Sequence, residues 1–143
     1  MRATWKLLCL VVLAVGSGAL TAANSVWGAS PTIGLPDCLG QLTVKPRSVV
    51  LACGDGNFRL QSLQGTGWGE TFAAARGIAV ANDCTPNCAA GHFHSFPVLA
   101  TVSGRQTCAH RPAYRTLTYA FPAAAPFHAK ALKDVTYTLR CKT

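Results

Sequence analysis

Six cysteines downstream of an export signal constrain this chain more than any other feature. Arg2 and Lys6 precede an apolar run over residues 7–15, and Gly16, Ser17, Gly18, Ala19, Thr21, Ala22 and Ala23 follow. Positive charge, apolar stretch and small residues in that order form the pattern of a secretory signal peptide. Residues 1–23 therefore read as the signal, and Cys9 leaves with it. Cys38, Cys53, Cys84, Cys88, Cys108 and Cys141 remain, an even number suited to an oxidising compartment. The expected product is secreted, either extracellular or associated with the cell envelope. Its sulfurs are expected to cross-link the fold rather than react.

Residues 24–37 are polar and small and read as a flexible lead-in, which leaves residues 38–143 as a single domain. A domain of this size buries a limited core, so covalent cross-links add usefully to its stability. The apolar run in the signal is shorter than the roughly 20 residues that cross a bilayer. Later apolar stretches are broken by Arg, Gly or Pro, so no transmembrane segment is expected in the mature chain. Loss of Arg2 and Lys6 leaves 11 basic residues against 5 acidic ones, a net charge of +6. Such an excess draws a protein towards anionic polymers. Lys45, Arg47, Arg59, Arg76, Arg105, Arg111 and Arg115 are scattered, however, a pattern that favours solubility over a dedicated polyanion groove.

Periodicity points to strands. Residues 39–44 and 47–53 read as a hairpin turning at Lys45-Pro46, in which Cys38 falls opposite Cys53; the second strand is apolar on both faces, as in the middle of a fold. Residues 58–61 alternate. Phe72, Ala74, Ile78 and Val80 share one parity, with a bulge expected at Gly77 and a helix over residues 70–75 as the competing reading. Phe96, Val98, Ala100 and Val102 share a face, as do Arg115, Leu117, Tyr119 and Phe121, and then Val135, Tyr137, Leu139 and Cys141. Six or seven short strands separated by Gly, Pro and Asn turns predict an all-β fold, a small antiparallel β-sandwich or barrel held by disulfides.

The candidate chemistry is sparse. Cys84-Thr-Pro-Asn-Cys88 with His92 and His94 contains the ligand types of a zinc or copper site, but the spacing is loose and exported thiols oxidise. The favoured pairs are Cys38–Cys53, Cys84–Cys88 and Cys108–Cys141; a rival pairing sends Cys53 to the Cys84/Cys88 loop. Gly54-Asp55-Gly56-Asn57 is a turn signal rather than a calcium loop. No Gly-x-Ser-x-Gly or His-Glu-x-x-His motif is present. Glu70, Arg76 and His92 are the trio that a ribonuclease-like hydrolase would need. No catalytic residue, metal or cofactor is assigned from these patterns.

Pro46-Arg47-Ser48-Val49-Val50-Leu51-Ala52-Cys53-Gly54-Asp55-Gly56-Asn57, then Trp68-Gly69, then Cys84-Thr85-Pro86-Asn87-Cys88-Ala89-Ala90-Gly91 resemble a family of small secreted actinobacterial proteins without assigned function. The likeness covers residues 46–102. It implies export and a compact domain built round Cys53, Cys84 and Cys88, and it brings no catalytic residue, cofactor or substrate. The expected function is a non-catalytic binding or interaction module, its partner an anionic cell-envelope polymer or a protein. Asp55, Trp68, His92 and His94 are the candidate surface residues, since loops and strand ends carry recognition on such folds. The alternatives are the hydrolase and a protease inhibitor with a braced loop at residues 84–88.

Overall fold

Alternating apolar and polar residues become antiparallel sheet along most of the chain. The computed structural model describes residues 32–141, so the signal and residues 24–31 of the lead-in lie outside the described residues. β1 (Leu35–Pro36) and β2 (Leu42–Thr43) form a small two-stranded sheet. β3 (Val49–Val50), β4 (Phe58–Thr66), β5 (Phe72–Asn82), β6 (Phe93–Cys108), β7 (Arg111–Ala120) and β8 (Asp134–Thr138) follow as a meander in which each strand pairs with the next. The six-stranded sheet curls into a half-barrel, so the all-β antiparallel class holds, with eight strands rather than six or seven.

The concave face is the core. β6 presents Val98, Ala100 and Val102 to it, and β7 presents Tyr114, Leu117 and Tyr119, with Phe121 just beyond. β5 was expected to turn Phe72, Ala74, Ile78 and Val80 inward, but its core-facing residues are Ala73 and Ala79, and Phe72 is 60% exposed. Packing volume explains the inversion. A curled sheet has less room on its concave side, and the rings of Tyr114, Tyr119 and Phe121 already occupy it, so small side chains fit there. Val80 is buried on the opposite face, in register with Arg59, whose guanidinium lies 5.2 Å from the Phe93 ring centre.

The bulge lies on the strand facing Gly77. Pairing of Gln61 with Ile78 is followed by pairing of Gln64 with Arg76, so Ser62 and Leu63 together oppose Gly77. Ser62 takes a φ of 55° there, and a Cβ added to Gly77 would stand 2.8 Å from the Gln61 carbonyl oxygen. Only glycine lets the two backbones approach this closely.

Two expectations fail near the N-terminus. The lead-in is not loose throughout: Ile33 and Leu35 are 1% and 2% exposed and join the core. Gly34 donates to the Pro112 carbonyl at 3.0 Å, and Tyr114 donates to the Gly34 carbonyl at 2.9 Å, so this stretch runs parallel to β7. Nor do residues 39–44 and 47–53 form a hairpin. Asp37 Oδ1 accepts the amides of Leu39 and Gln41 at 2.9 and 2.8 Å, turning the chain so that β2 pairs back with β1. β3 pairs only with β4 and is a sheet edge rather than a middle strand; Val49 is buried and Val50 is 42% exposed. A local Asx turn outcompetes the longer hairpin because it satisfies two amides at once.

Disulfides join Cys38 to Cys53, Cys84 to Cys88, and Cys108 to Cys141. Cys38 and Cys53 meet with Cα atoms 5.4 Å apart although the hairpin that suggested their pairing is absent. The turn after β1 and the turn after β3 bring them together instead.

Candidate binding cleft

Beyond the reach of the Tyr114, Tyr119 and Phe121 rings, the small side chains of β5 and β6 leave part of the concave face unfilled. An open cleft of about 540 Å³ lies between the sheet and the segment that carries β1 and β3. Ala73, Ala75, Ala100, Val102 and Leu117 line it from the sheet, and Leu35, Val49, Leu63 and Trp68 contribute further apolar surface. Exposed Lys45 and Arg47 flank Pro46 at its rim, and they are its two charged lining residues. Lys45 holds a φ of 48° immediately before a proline, a backbone conformation that a bulky L-residue rarely takes. The ion pair found among the described residues is His94–Asp83, so neither rim cation is neutralised by a carboxylate there. Taken as sequence, Lys45 and Arg47 counted only as scattered surface charge. No spacing rule would have joined them to alanines 26 to 55 positions away.

Trp68 is a wall of this cleft rather than a free loop tip. Its Nε1 donates to the Ile33 carbonyl at 2.9 Å, and its ring meets Tyr114 edge-on with centroids 5.1 Å apart. The Tyr114 hydroxyl accepts the Gly69 amide and donates to the Glu70 carbonyl, both at 3.1 Å. Trp68, Tyr114 and Ile33 thus hold one end of the half-barrel in shape.

The other candidates are occupied in bracing turns. Asp55 accepts the Asn57 amide at 3.1 Å and the Asn57 side-chain nitrogen at 2.7 Å, and these bonds hold its carboxyl below the usual range. Asn57 in turn accepts from Asn82 Nδ2 at 2.9 Å. Asn82 also donates to the Cys88 carbonyl and accepts the Cys84 amide, which ties the disulfide loop to the end of β5. Asp83 binds the amides of His92 and Thr85 through Oδ1 at 2.9 and 3.1 Å, and its Oδ2 lies 2.9 Å from His94 Nε2. His92 and His94 were two of the candidate surface residues. The backbone of His92 and the ring of His94 share Asp83, whereas the His92 ring makes no hydrogen bond in the described residues.

Glu70, Arg76 and His92 do not converge. Glu70 sits in the turn before β5 and His92 in the loop after it, with the 11 residues of that strand between them. At about 3.3 Å per residue the two are roughly 30 Å or more apart. Among the described residues no group of three or more His, Cys, Asp or Glu could hold a metal ion. No helix there is long and apolar enough to cross a membrane. No protein-family model, curated protein or solved structure matches this chain.

The Asp83 contacts carry a pH dependence. Hydrogen bonds from the His92 amide, the His94 ring and the Thr85 amide lower its carboxyl from 3.8 to about 2. A depressed carboxylate contributes stability in full above its unfolded value and loses it as pH falls through its folded value. The loop over residues 83–92 is therefore expected to keep its amide protection at pH 5 and lose it between roughly pH 4 and 2. Amide hydrogen exchange of Thr85 and His92 across that range reads the change, and Asp83→Asn should flatten it. Protection unchanged down to pH 1.5 would disprove the role given to Asp83.

Proposed function

We propose that this chain is an exported, non-catalytic binding module of the cell envelope or its surroundings, and that its ligand enters the concave cleft. The cleft is the observation that carries the reading. Its volume lies within the several hundred Å³ typical of small-ligand sites, and its lining is mostly apolar with a few polar side chains, as such sites usually are. The scaffold around it is braced by strand pairing, by the Trp68–Tyr114 contact and by disulfides, so little ordering is left for a ligand to impose. Three cross-links and the signal-like N-terminus support export.

A neutral fluorescent probe, N-phenyl-1-naphthylamine, tests the reading. The folded chain is expected to take it up one to one with enhanced emission. Ala75→Phe, which places a ring in the cleft from a half-buried position, is expected to weaken uptake at least tenfold without unfolding the chain. Equal uptake by both proteins would place the probe elsewhere and end the proposal. Turnover of RNA by the unmodified chain, abolished in His92→Ala, would favour the hydrolase instead.

A further inference from the structure

We infer that the ligand of this cleft is a free single-chain amphiphile with an anionic head, such as a long-chain carboxylate. This inference rests on the cleft reading above and adds the chemistry of what enters.

The cleft has one chemical character inside and another at its rim. Most of its lining is alanine, valine and leucine side chains with the Trp68 ring, which offer area and no directional bonds, and Gln64 and Thr66 are its uncharged polar side chains. The one polar handle of that ring is already bonded to the Ile33 carbonyl. No buried side-chain nitrogen or oxygen among the described residues lacks a hydrogen-bond partner. A sugar or a polar peptide carries many hydroxyls or amides, and with Gln64 and Thr66 as the uncharged polar side chains of the lining most of them would be buried against carbon without replacement bonds, which is unfavourable. An alkyl chain has nothing to lose in that way.

The rim selects for charge. Lys45 and Arg47 are both cationic, both exposed and without a carboxylate partner in the described residues. Arg47 offers a planar fork that matches a carboxylate or phosphate, and Lys45 offers a compact point charge beside it. A cationic head would meet two like charges, and a neutral head would leave both merely solvated. The cleft is also too small for a folded partner, and two cations fall short of what a nucleic-acid strand engages. A free amphiphile satisfies both halves of the site at once.

Displacement of N-phenyl-1-naphthylamine provides the test, with decanoate, dodecanoate, dodecyltrimethylammonium and acetate as competitors below their micelle concentrations. Affinity is expected to rise about fourfold per added methylene from decanoate to dodecanoate. Dodecanoate should outcompete dodecyltrimethylammonium at least tenfold at low salt, and acetate should not compete. In the Lys45→Gln/Arg47→Gln double variant that preference is expected to fall to within threefold of parity, with far-UV circular dichroism verifying the fold. Arg111→Gln, at the β6–β7 turn away from the cleft, should keep it. Equal affinity of the unmodified chain for the two dodecyl compounds would overturn the inference while leaving the cleft reading intact, provided the probe itself still binds. Preference surviving in the double variant, or lost equally in Arg111→Gln, would overturn it as well. So would binding seen only to vesicles of phosphatidylglycerol, which would make the site a membrane contact.

Discussion

Tyr114→Ala is expected to lower the stability of this chain by about 4 kcal/mol, enough to leave a marginal domain substantially unfolded near body temperature. Tyr114 has no exposed surface, and it is the largest fully buried side chain among the described residues. Its ring supports Trp68 edge-on, and through Trp68 it supports the Ile33 carbonyl. Removing it opens a cavity beneath the segment that carries β1 and cuts the hydroxyl link to the turn at Gly69 and Glu70. The hydroxyl is the smaller part. Gly69 and Glu70 are exposed, so water replaces their lost bonds and Tyr114→Phe should cost only about 1 kcal/mol. Urea denaturation of both variants with disulfides intact separates the ring from the hydroxyl. A Tyr114→Ala cost below about 2 kcal/mol would mean that the end of the half-barrel is not held by this ring.

Removing the Cys108–Cys141 bridge as Cys108→Ala/Cys141→Ala is expected to cost about 3–4 kcal/mol on the loop-entropy account. The bridge spans 33 residues, the longest separation of the three, and it joins the β6–β7 turn to the segment after β8. β8 is an edge strand that hydrogen-bonds only to β7, so the cross-link restrains it strongly. Gln106 adds a local tie, donating to the Tyr114 and Leu139 carbonyls at 2.8 and 3.1 Å, and the Leu139 amide donates to the Arg115 carbonyl at 2.7 Å. The same account ranks the other bridges below it: about 3 kcal/mol for Cys38–Cys53 at 15 residues and about 2 kcal/mol for Cys84–Cys88 at 4. Thermal unfolding of the three double-alanine variants reads the order, and hydrogen exchange should show β8 opening first in the Cys108–Cys141 variant. A largest loss at Cys84–Cys88 would mean that the braced loop, rather than chain entropy, dominates.

Local periodicity carried the later half of the fold. β6 alternates from Phe96 to Val102, β7 from Thr116 on and β8 throughout, because one face of each stretch meets the core and the other solvent, and that contrast is written into neighbouring residues. Ala113 and Tyr114, buried at successive positions, break the pattern, and Arg115, which parity grouped with Leu117, is exposed. The turn residues at 54–57 and the even cysteine count were equally legible. β5 was legible as a strand but not in its orientation. Ala73 and Ala79 differ too little in hydrophobicity from Ala74 for periodicity to choose a face, and the bulky neighbours misled it. The volume that settles the choice belongs to rings on β7, roughly 40 residues further on.

The candidate site divides in the same way. Asp55, Trp68, His92 and His94 stood out as residue types in turn and strand-end positions, and the structure engages Asp55, Trp68 and His94 in bracing their own surroundings. The cleft arises from residues that no local pattern links: alanines of β5 and β6, Leu35 just ahead of Cys38, and the two cations flanking Pro46. Residue order along the chain specified strands, turns and cross-linking sulfurs, since these depend on neighbours within a few positions. Which strand face is inside, where the N-terminal segment docks and which cations share a rim depend on how distant volumes fill one concave surface. Those features emerged only when the sheet curled.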